Sequence, residues 1–465
     1  MSGTAQYMEE PTQPKEGKLL NYLIFPVKHS LLKLTSSSFS DRETFGLSIY
    51  TPVHEEVQQI FNVSPTESLL PYALYVYGLA FGPMISAPLS ETYGRRLIYI
   101  LATPVSLLFT LGVGLSHNFA GLVICRFFAG ALGSSPLAVG AGTINDLWSG
   151  RHRATATVLL FVTSLLGPTL GPVVGSYVAE YKGWRWSQWC ILFLGAAAWL
   201  FSFGAQETYS RVILRKRLKC LGLPLPPSPI PAGFAGFKVL LTATLTRPLL
   251  MLLTDPIVGL FSLYTSFNFS MLFSFLAAFP PIFQTTYGFP SGQSGLVFLG
   301  VAVGCVIGAV IVILIDKHVY QKHLAKSPGG VAAEERLWGG MFGSIVMPIS
   351  LFWFAWTARE SVHWMVPIVA AAFFGCASIV IFVSCVLYLS DVYGAAYGAS
   401  AMAANGLLRY TMGGSFPLFT PAMYNNLGTA WATSLLAFLS TAFLPIPWIF
   451  YKLGPRIRQI RSYAG

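Results

Sequence analysis

Two arginines stand in stretches that are otherwise built for hydrocarbon. Arg126 lies in "ICRFFAGALGSSP" (Ile124 to Pro136) and Arg409 in "AANGLLRYTMGGSFPLF". A guanidinium inside a bilayer is costly, so it must face a cavity or a partner, or reach back to the headgroups. At ~1.5 Å per residue, Arg126 is roughly 10 Å from the outer end of its run and Arg409 about 20 Å from the inner end of its own. Both readings stay open for Arg126. Arg409 is too deep for the headgroups, and Asn405, one turn earlier on the same face, places the pair on a central cavity. The chemistry on offer is recognition and ion movement rather than covalent catalysis. The six cysteines (125, 190, 220, 305, 376 and 385) are scattered, and "HEEV" (His54 to Val57) lacks the second histidine of a zinc motif.

A second set of charges joins two apolar runs. "SAPLSETYGRRLIY" (Ser86 to Tyr99) carries Glu91, Arg95 and Arg96 around Gly94. Glycine permits a tight turn there, and Glu91 suits the positive end of a neighbouring helix. A third pattern is uncharged. In "LLGPTLGPVVGSYV" (Leu165 to Val178), Gly167, Gly171 and Gly175 recur every fourth residue and share one helix face. Pro168 and Pro172 bend that helix. Either a partner helix comes very close to the glycine face, or this is a generic close-packed membrane helix.

The elements that position these groups are membrane helices. Of 465 residues, 54% are hydrophobic and 10% charged, against about a quarter charged in soluble chains. Apolar runs near 69–88, 97–116, 119–144, 154–179 and 187–205 precede a gap, and runs near 256–283, 294–315, 337–357, 364–390, 395–424 and 428–451 follow it. With a first span ending near Pro52 and the N-terminus inside, 22 of the 29 lysines and arginines fall in inner segments and 3 in outer loops. The net charge of +11 therefore orients a multi-pass protein with both termini cytoplasmic, and is not a nucleic-acid footprint. No removable signal peptide is read at the N-terminus. The gap, 206–248, holds "RKRLK" (Arg215 to Lys219) and "LPLPPSPIP" (Leu223 to Pro231), a basic, proline-rich linker between two halves. The expected organisation is 1–47 as tail and doubtful first span, 48–205 as the first bundle, 249–451 as the second, and 452–465 as a basic tail.

The chain resembles the major facilitator superfamily. The turn at Leu89, Glu91, Gly94, Arg95 and Arg96 is similar to its G-x-L-x-[D/E]-x-x-G-[R/K]-[R/K] motif, with Ala87 in place of the first glycine. The resemblance implies that Glu91, Arg95 and Asp146 ("INDLW") form a charge network locking the outward-facing state. Arg126 and Gly130 match the R-x-x-x-G motif, whose arginine is associated with proton transfer in proton-coupled members. Gly167, Pro168, Gly171, Pro172 and Gly175 match the antiporter motif G-P-x-x-G-P-x-x-G-G, with Ser176 at its final glycine. "GWRWSQW" (Gly183 to Trp189) and "SAMAANGLLRY" (Ser400 to Tyr410) resemble fungal twelve-span drug:proton antiporters, which usually read P-E-T-Y where this chain has "QETY" (Gln206 to Tyr209). The resemblance implies an all-α membrane protein of two six-helix bundles around a central cavity. It further implies a plasma-membrane, proton-driven exporter that is not an enzyme and needs no cofactor.

The first span is atypical. Residues 30–50 contain Lys33, Asp41, Arg42 and Glu43, each costing about 2.5–3.5 kcal/mol at a helix centre. Either later spans hold them in a polar cavity or the segment is damaged; damage is the expectation, with a transport-defective relative as its consequence. Tyr75, Tyr264, Asn268 and many phenylalanines suggest a cavity for small amphipathic, drug-like or secondary-metabolite compounds. A polyamine:proton antiporter and a membrane sensor are the alternatives, but acids at depth are scarce and no sizeable soluble region is present. No nucleic-acid partner is expected, the lipid bilayer surrounds the chain, and a monomer suffices. Asn62 in "NVS" is a glycosylation sequon in an outer loop, followed by Pro65.

Overall fold

The computed structural model describes residues 42–135, 139, 140, 143, 153–203, 207–223, 245–326 and 331–459, and no strand occurs among them. The first bundle comprises α1 (residues 42–48), α2 (Leu70–Tyr93), α3 (Arg95–Gly114), α4 (Phe119–Gly133), α5 (Arg153–Lys182) and α6 (Trp184–Ser202). The second comprises α7 (Pro256–Tyr287), α8 (Phe298–Ile315), α9 (Leu337–Thr357), α10 (Met365–Phe443) and α11 (Pro445–Gln459). Seven described stretches are long and apolar enough to cross a membrane.

Local sequence sets the helix boundaries. Asn118 opens α4 by accepting from Gly121 N at 2.6 Å, and Asp255 opens α7 by accepting from Ile257 N at 2.9 Å with Pro256 next in line. Reversals fall on glycines. The 79-residue α10 turns at Gly394 and Gly428, so it forms three consecutive segments. Gly183, between α5 and α6, and Gly428, between the second and third segments of α10, adopt almost the same backbone (φ 81°, ψ 167° and φ 75°, ψ 164°). That region is closed to a side chain, so the same reversal sits at the same place in each bundle.

Close helix contacts repeat in the same way. A methyl group on Gly78, Gly82 or Gly130 would overlap backbone of the facing helix at the α2–α4 contact. Gly304 and Gly375 are equally pressed against backbone where α8 meets the first segment of α10. With little hydrophobic force between helices in lipid, such small residues let dispersion act at short range.

Of the first span expected over residues 30–50, only 42–50 are described, and there the charges of Arg42 and Glu43 are packed inside the bundle. Residues 42–50 are all buried. Lys33 and Asp41 lie outside the described residues.

Candidate functional site

The charges of α1 have polar partners on α2 and α3 and lie against glycines of α4 and α6. Arg42 pairs with Glu43 (Nη1 to Oε1, 3.0 Å) and donates from Nη2 to Ser106 Oγ at 3.0 Å, while Gly195 of α6 gives room to its side chain. Glu43 is fully buried and rests against Gly133, where a methyl group would overlap its Oε2. The hydroxyl of Tyr75 donates to Glu43 Oε2 at 2.9 Å. The Tyr75 ring in turn carries the Arg126 guanidinium, 5.4 Å from its centroid, and the Tyr50 ring centroid lies 4.7 Å from the same guanidinium. Arg126 Nη1 donates to the carbonyl of Gly46 at 2.9 Å, whereas its Nε and Nη2 have no partner among the described residues. Arg126 is 1% exposed, which removes the headgroup reading. An acid and a base thus share one aromatic side chain in the middle of the bundle.

The glycine face of α5 receives α1. A methyl group on Gly167 would overlap Thr44 Oγ1, and one on Gly171 would overlap Ser48 Oγ and lie 2.9 Å from Ile49 N. On Gly175 it would lie 2.6 Å from Ile49 O. Ser48 donates to the Gly167 carbonyl at 3.2 Å, an oxygen left accessible by the missing side chains. Pro168 and Pro172 sit inside α5, and the Pro172 carbonyl, with Ser176, meets Gly295 at the start of the second bundle's α8 region.

In the second bundle, Arg409 lies in the second segment of α10. Its guanidinium carbon is 4.6 Å from the ring centroids of Phe382 and Tyr410 and 4.9 Å from that of Phe269. Asn405 does not join it, donating instead to Thr265 Oγ1 at 2.7 Å. Asn268 is closed into a reciprocal pair with Ser378, donating to its carbonyl at 3.0 Å and accepting from its hydroxyl at 2.8 Å. Tyr264 is buried against Phe443 within the bundle. These three side chains tie helices together.

At the Gly94 turn, sequence reasoning missed the principal acid. Glu207 accepts from the amides of Arg95 (2.9 Å) and Arg96 (3.3 Å), and from those of Thr208 and Tyr209, both at 3.0 Å. It caps the first turn of α3, where the helix dipole favours an anion. Gly94 (φ 103°) cannot be replaced without both strain and overlap with Glu207. Arg95 also donates to Ser90 Oγ and stacks on Tyr209 at 5.1 Å, and Arg96 reaches the Phe203 carbonyl at 3.3 Å. Asp146 and the side chain of Glu91 lie outside the described residues. The second bundle has a comparable cluster that composition alone concealed: Arg336 bridges Asp316 and Asp391 (2.8 Å to the latter) over the Tyr320 ring. Asn62, exposed and left-handed at a helix end (φ 51°, ψ 50°), precedes a capping box formed by Ser64 and Glu67.

Named contacts between the bundles lie toward the Gly183 end. Tyr77 of α2 hydrogen-bonds Ser415 of α10 (2.8 Å), and the Tyr72 and Phe273 rings are 6.0 Å apart. Gly292 N donates to Glu180 Oε2 at 2.7 Å. Midway along, Phe161 of α5 meets Phe382 of α10 edge-on at 4.9 Å.

The fold is similar to that of a solved proton:xylose symporter, XylE bound to 6-bromo-6-deoxy-D-glucose. It superposes with a TM-score of 0.67 over 90% of this chain and 95% of its own, at 15% identity, a likeness of fold. Sequence relatives include Polyamine transporter 4 of Saccharomyces cerevisiae, 38% identical over 90% of this chain and 68% of its own. The MFS-type transporter acdC of Aspergillus candidus is 40% identical, with 90% and 84% covered. Efflux pump FUBT of Fusarium oxysporum is 36% identical, with 91% and 72% covered. The family model matches residues 43–417, a range that begins at Glu43 itself and takes in the glycine face, both arginines and the seam. The chain therefore belongs to the Major Facilitator Superfamily: it is a transporter, not an enzyme, and needs no bound cofactor.

Proposed function

We propose that the protein is a proton-driven exporter of small amphipathic, drug-like or secondary-metabolite compounds, in which Glu43 carries the coupled proton. The observation that carries this reading is the enclosure of Glu43 at mid-depth, hydrogen-bonded to Tyr75, whose ring also supports Arg126. A buried carboxylate beside a fixed cation changes its surroundings sharply when it gains or loses a proton. Protonating Glu43 would weaken its hold on Tyr75 and Arg42, and α1 would then shift on the glycine face of α5. Coupling needs such a link between a titrating group and a moving seam.

Export is the direction of this reading. We place the basic ends of the helices in the cytoplasm by the positive-inside rule, and in this reading the contacts at the Gly183 end lie on the outer side. In this reading residues 48–205 and 249–451, with the basic 206–248 segment between them, form two repeats of a monomer in the plasma membrane. The cytoplasmic Gly94 turn, including Glu91, Arg95, Arg96 and Asp146, steadies the outward-facing state. Similarity to efflux pumps favours this direction. Polyamine:proton antiport is the second reading, favoured by the likeness to Polyamine transporter 4.

Proteoliposomes holding the full chain test the proposal. With an imposed pH gradient, an amphipathic fluorescent substrate such as 8-anilinonaphthalene-1-sulfonate should accumulate above its equilibrium level, and a protonophore should abolish the excess. Accumulation indifferent to the protonophore would remove proton coupling.

A further inference from the structure

We infer that Arg409 is an anion-binding subsite of the transport path, and that the substrate carries a carboxylate or similar anionic group on its apolar body. This assignment rests on the export reading above and narrows it to one chemical class. The guanidinium of Arg409 is held by ring faces, those of Phe269, Phe382 and Tyr410, at 4.6 to 4.9 Å. Rings attract the cation's face but leave its in-plane N–H donors unmet. No carboxylate or carbonyl among the described residues accepts from Arg409, and its Nε is enclosed without a partner. Arg126 differs: it donates to the Gly46 carbonyl and shares Tyr75 with Glu43. One deep arginine has a resident acceptor. The other awaits one.

Position supports the same assignment. Phe382, on which the Arg409 guanidinium stacks, meets Phe161 of the opposite bundle at 4.9 Å, so the cation stands beside the seam. Neighbouring polar side chains are already engaged, Asn405 with Thr265 and Asn268 with Ser378. That leaves a planar fork suited to bidentate capture of a carboxylate, with aromatic faces for the rest of the molecule. Charge balance agrees. The described charged side chains at mid-depth are Arg42, Glu43, Arg126 and Arg409. Arg42 offsets Glu43, and the remaining two cations disfavour a polyamine while favouring an anion.

Binding of three matched probes to the purified full-length protein tests this: naphthalene-1-acetate, its methyl ester, and 1-naphthylethylammonium. The acid should bind about tenfold or more tightly than either of the others. Arg409→Gln should weaken acid binding roughly 10- to 100-fold and leave the ester unchanged, and Arg409→Lys should restore only part, because lysine lacks the fork. The comparison of probes on the unaltered protein needs no variant, so a folding defect in Arg409→Gln does not blunt it. Ester or amine binding as tight as the acid overturns the anion subsite alone. Binding of none of the three overturns the amphipathic-substrate reading with it.

Discussion

Ser48 donates its hydroxyl to the carbonyl oxygen of Gly167 across 3.2 Å, joining the charged helix α1 to the glycine face of α5. Gly167, Gly171 and Gly175 exist as a face because α1 lies on them, with Thr44, Ser48 and Ile49 in the space their side chains would fill. The polar segment and the small-residue segment are two sides of one contact, and the charges of the former are satisfied by the bundle that the latter lets it enter.

Bulk on that face should therefore act through α1. Gly171→Leu is expected to destabilise the protein by about 1–3 kcal/mol or more, as overpacking does, and to abolish transport per molecule at the membrane. Val174→Phe adds the same four carbons at an exposed position (39%) on another face and should be silent. Thermal unfolding and efflux, measured on both variants, check the difference; equal effects would mean that α1 does not depend on the glycine face.

Tyr75→Phe keeps the ring under Arg126 and removes only the hydroxyl that donates to Glu43. A lost hydrogen bond to a buried charged group costs roughly 1.5–3 kcal/mol. Expression should persist, while proton-driven transport falls at least tenfold. Unchanged transport would show that the hydroxyl does not tune Glu43.

How much of this was legible in the sequence depends on how far apart the partners lie. The glycine spacing, the Gly94 turn and the deep arginines were readable because their signals are local periodicities and charges in apolar runs. The role of 42–50 was not. Its charges looked prohibitive when costed on an isolated helix, but Tyr75, Ser106 and Arg126 come from 32, 64 and 80 residues away to meet the segment. Glu207 was hidden for the same reason, lying 112 residues from the amide of Arg95 that it caps. Asn268 and Tyr264 show the converse: sequence marked them as cavity candidates, and packing turned one to Ser378 and the other to Phe443.

Glu207 gives a prediction at the Gly94 turn. Glu207→Ala strips the acceptor from four amides and should lower stability by about 1–2 kcal/mol, the scale of a lost N-cap. Glu207→Gln retains an oxygen without the charge and should fall between the two. Unfolding midpoints in detergent would order the three proteins, and an Ala variant as stable as the Gln variant would contradict a capping role.

In the second bundle, Arg336→Gln leaves Asp316 and Asp391 facing each other without their bridge. The expected loss is about 1–3 kcal/mol, less than for a fully buried pair because all three side chains keep some solvent contact. Adding Asp391→Asn to Arg336→Gln should restore part of the loss by removing the repulsion. A double-mutant cycle measures it, and simple additivity would show the three charges to be independent.

The most direct measurement is proton-driven accumulation by Glu43→Gln in proteoliposomes, set beside substrate exchange at equal pH on both sides. Glutamine preserves the shape and the hydrogen-bonding oxygen of Glu43 but cannot carry a proton. With Glu43 as the coupling group, the variant should lose accumulation driven by the pH gradient and keep exchange, because α1 can still move on the glycine face. A Glu43→Gln protein that accumulates substrate as well as the unaltered chain would contradict the account at its centre.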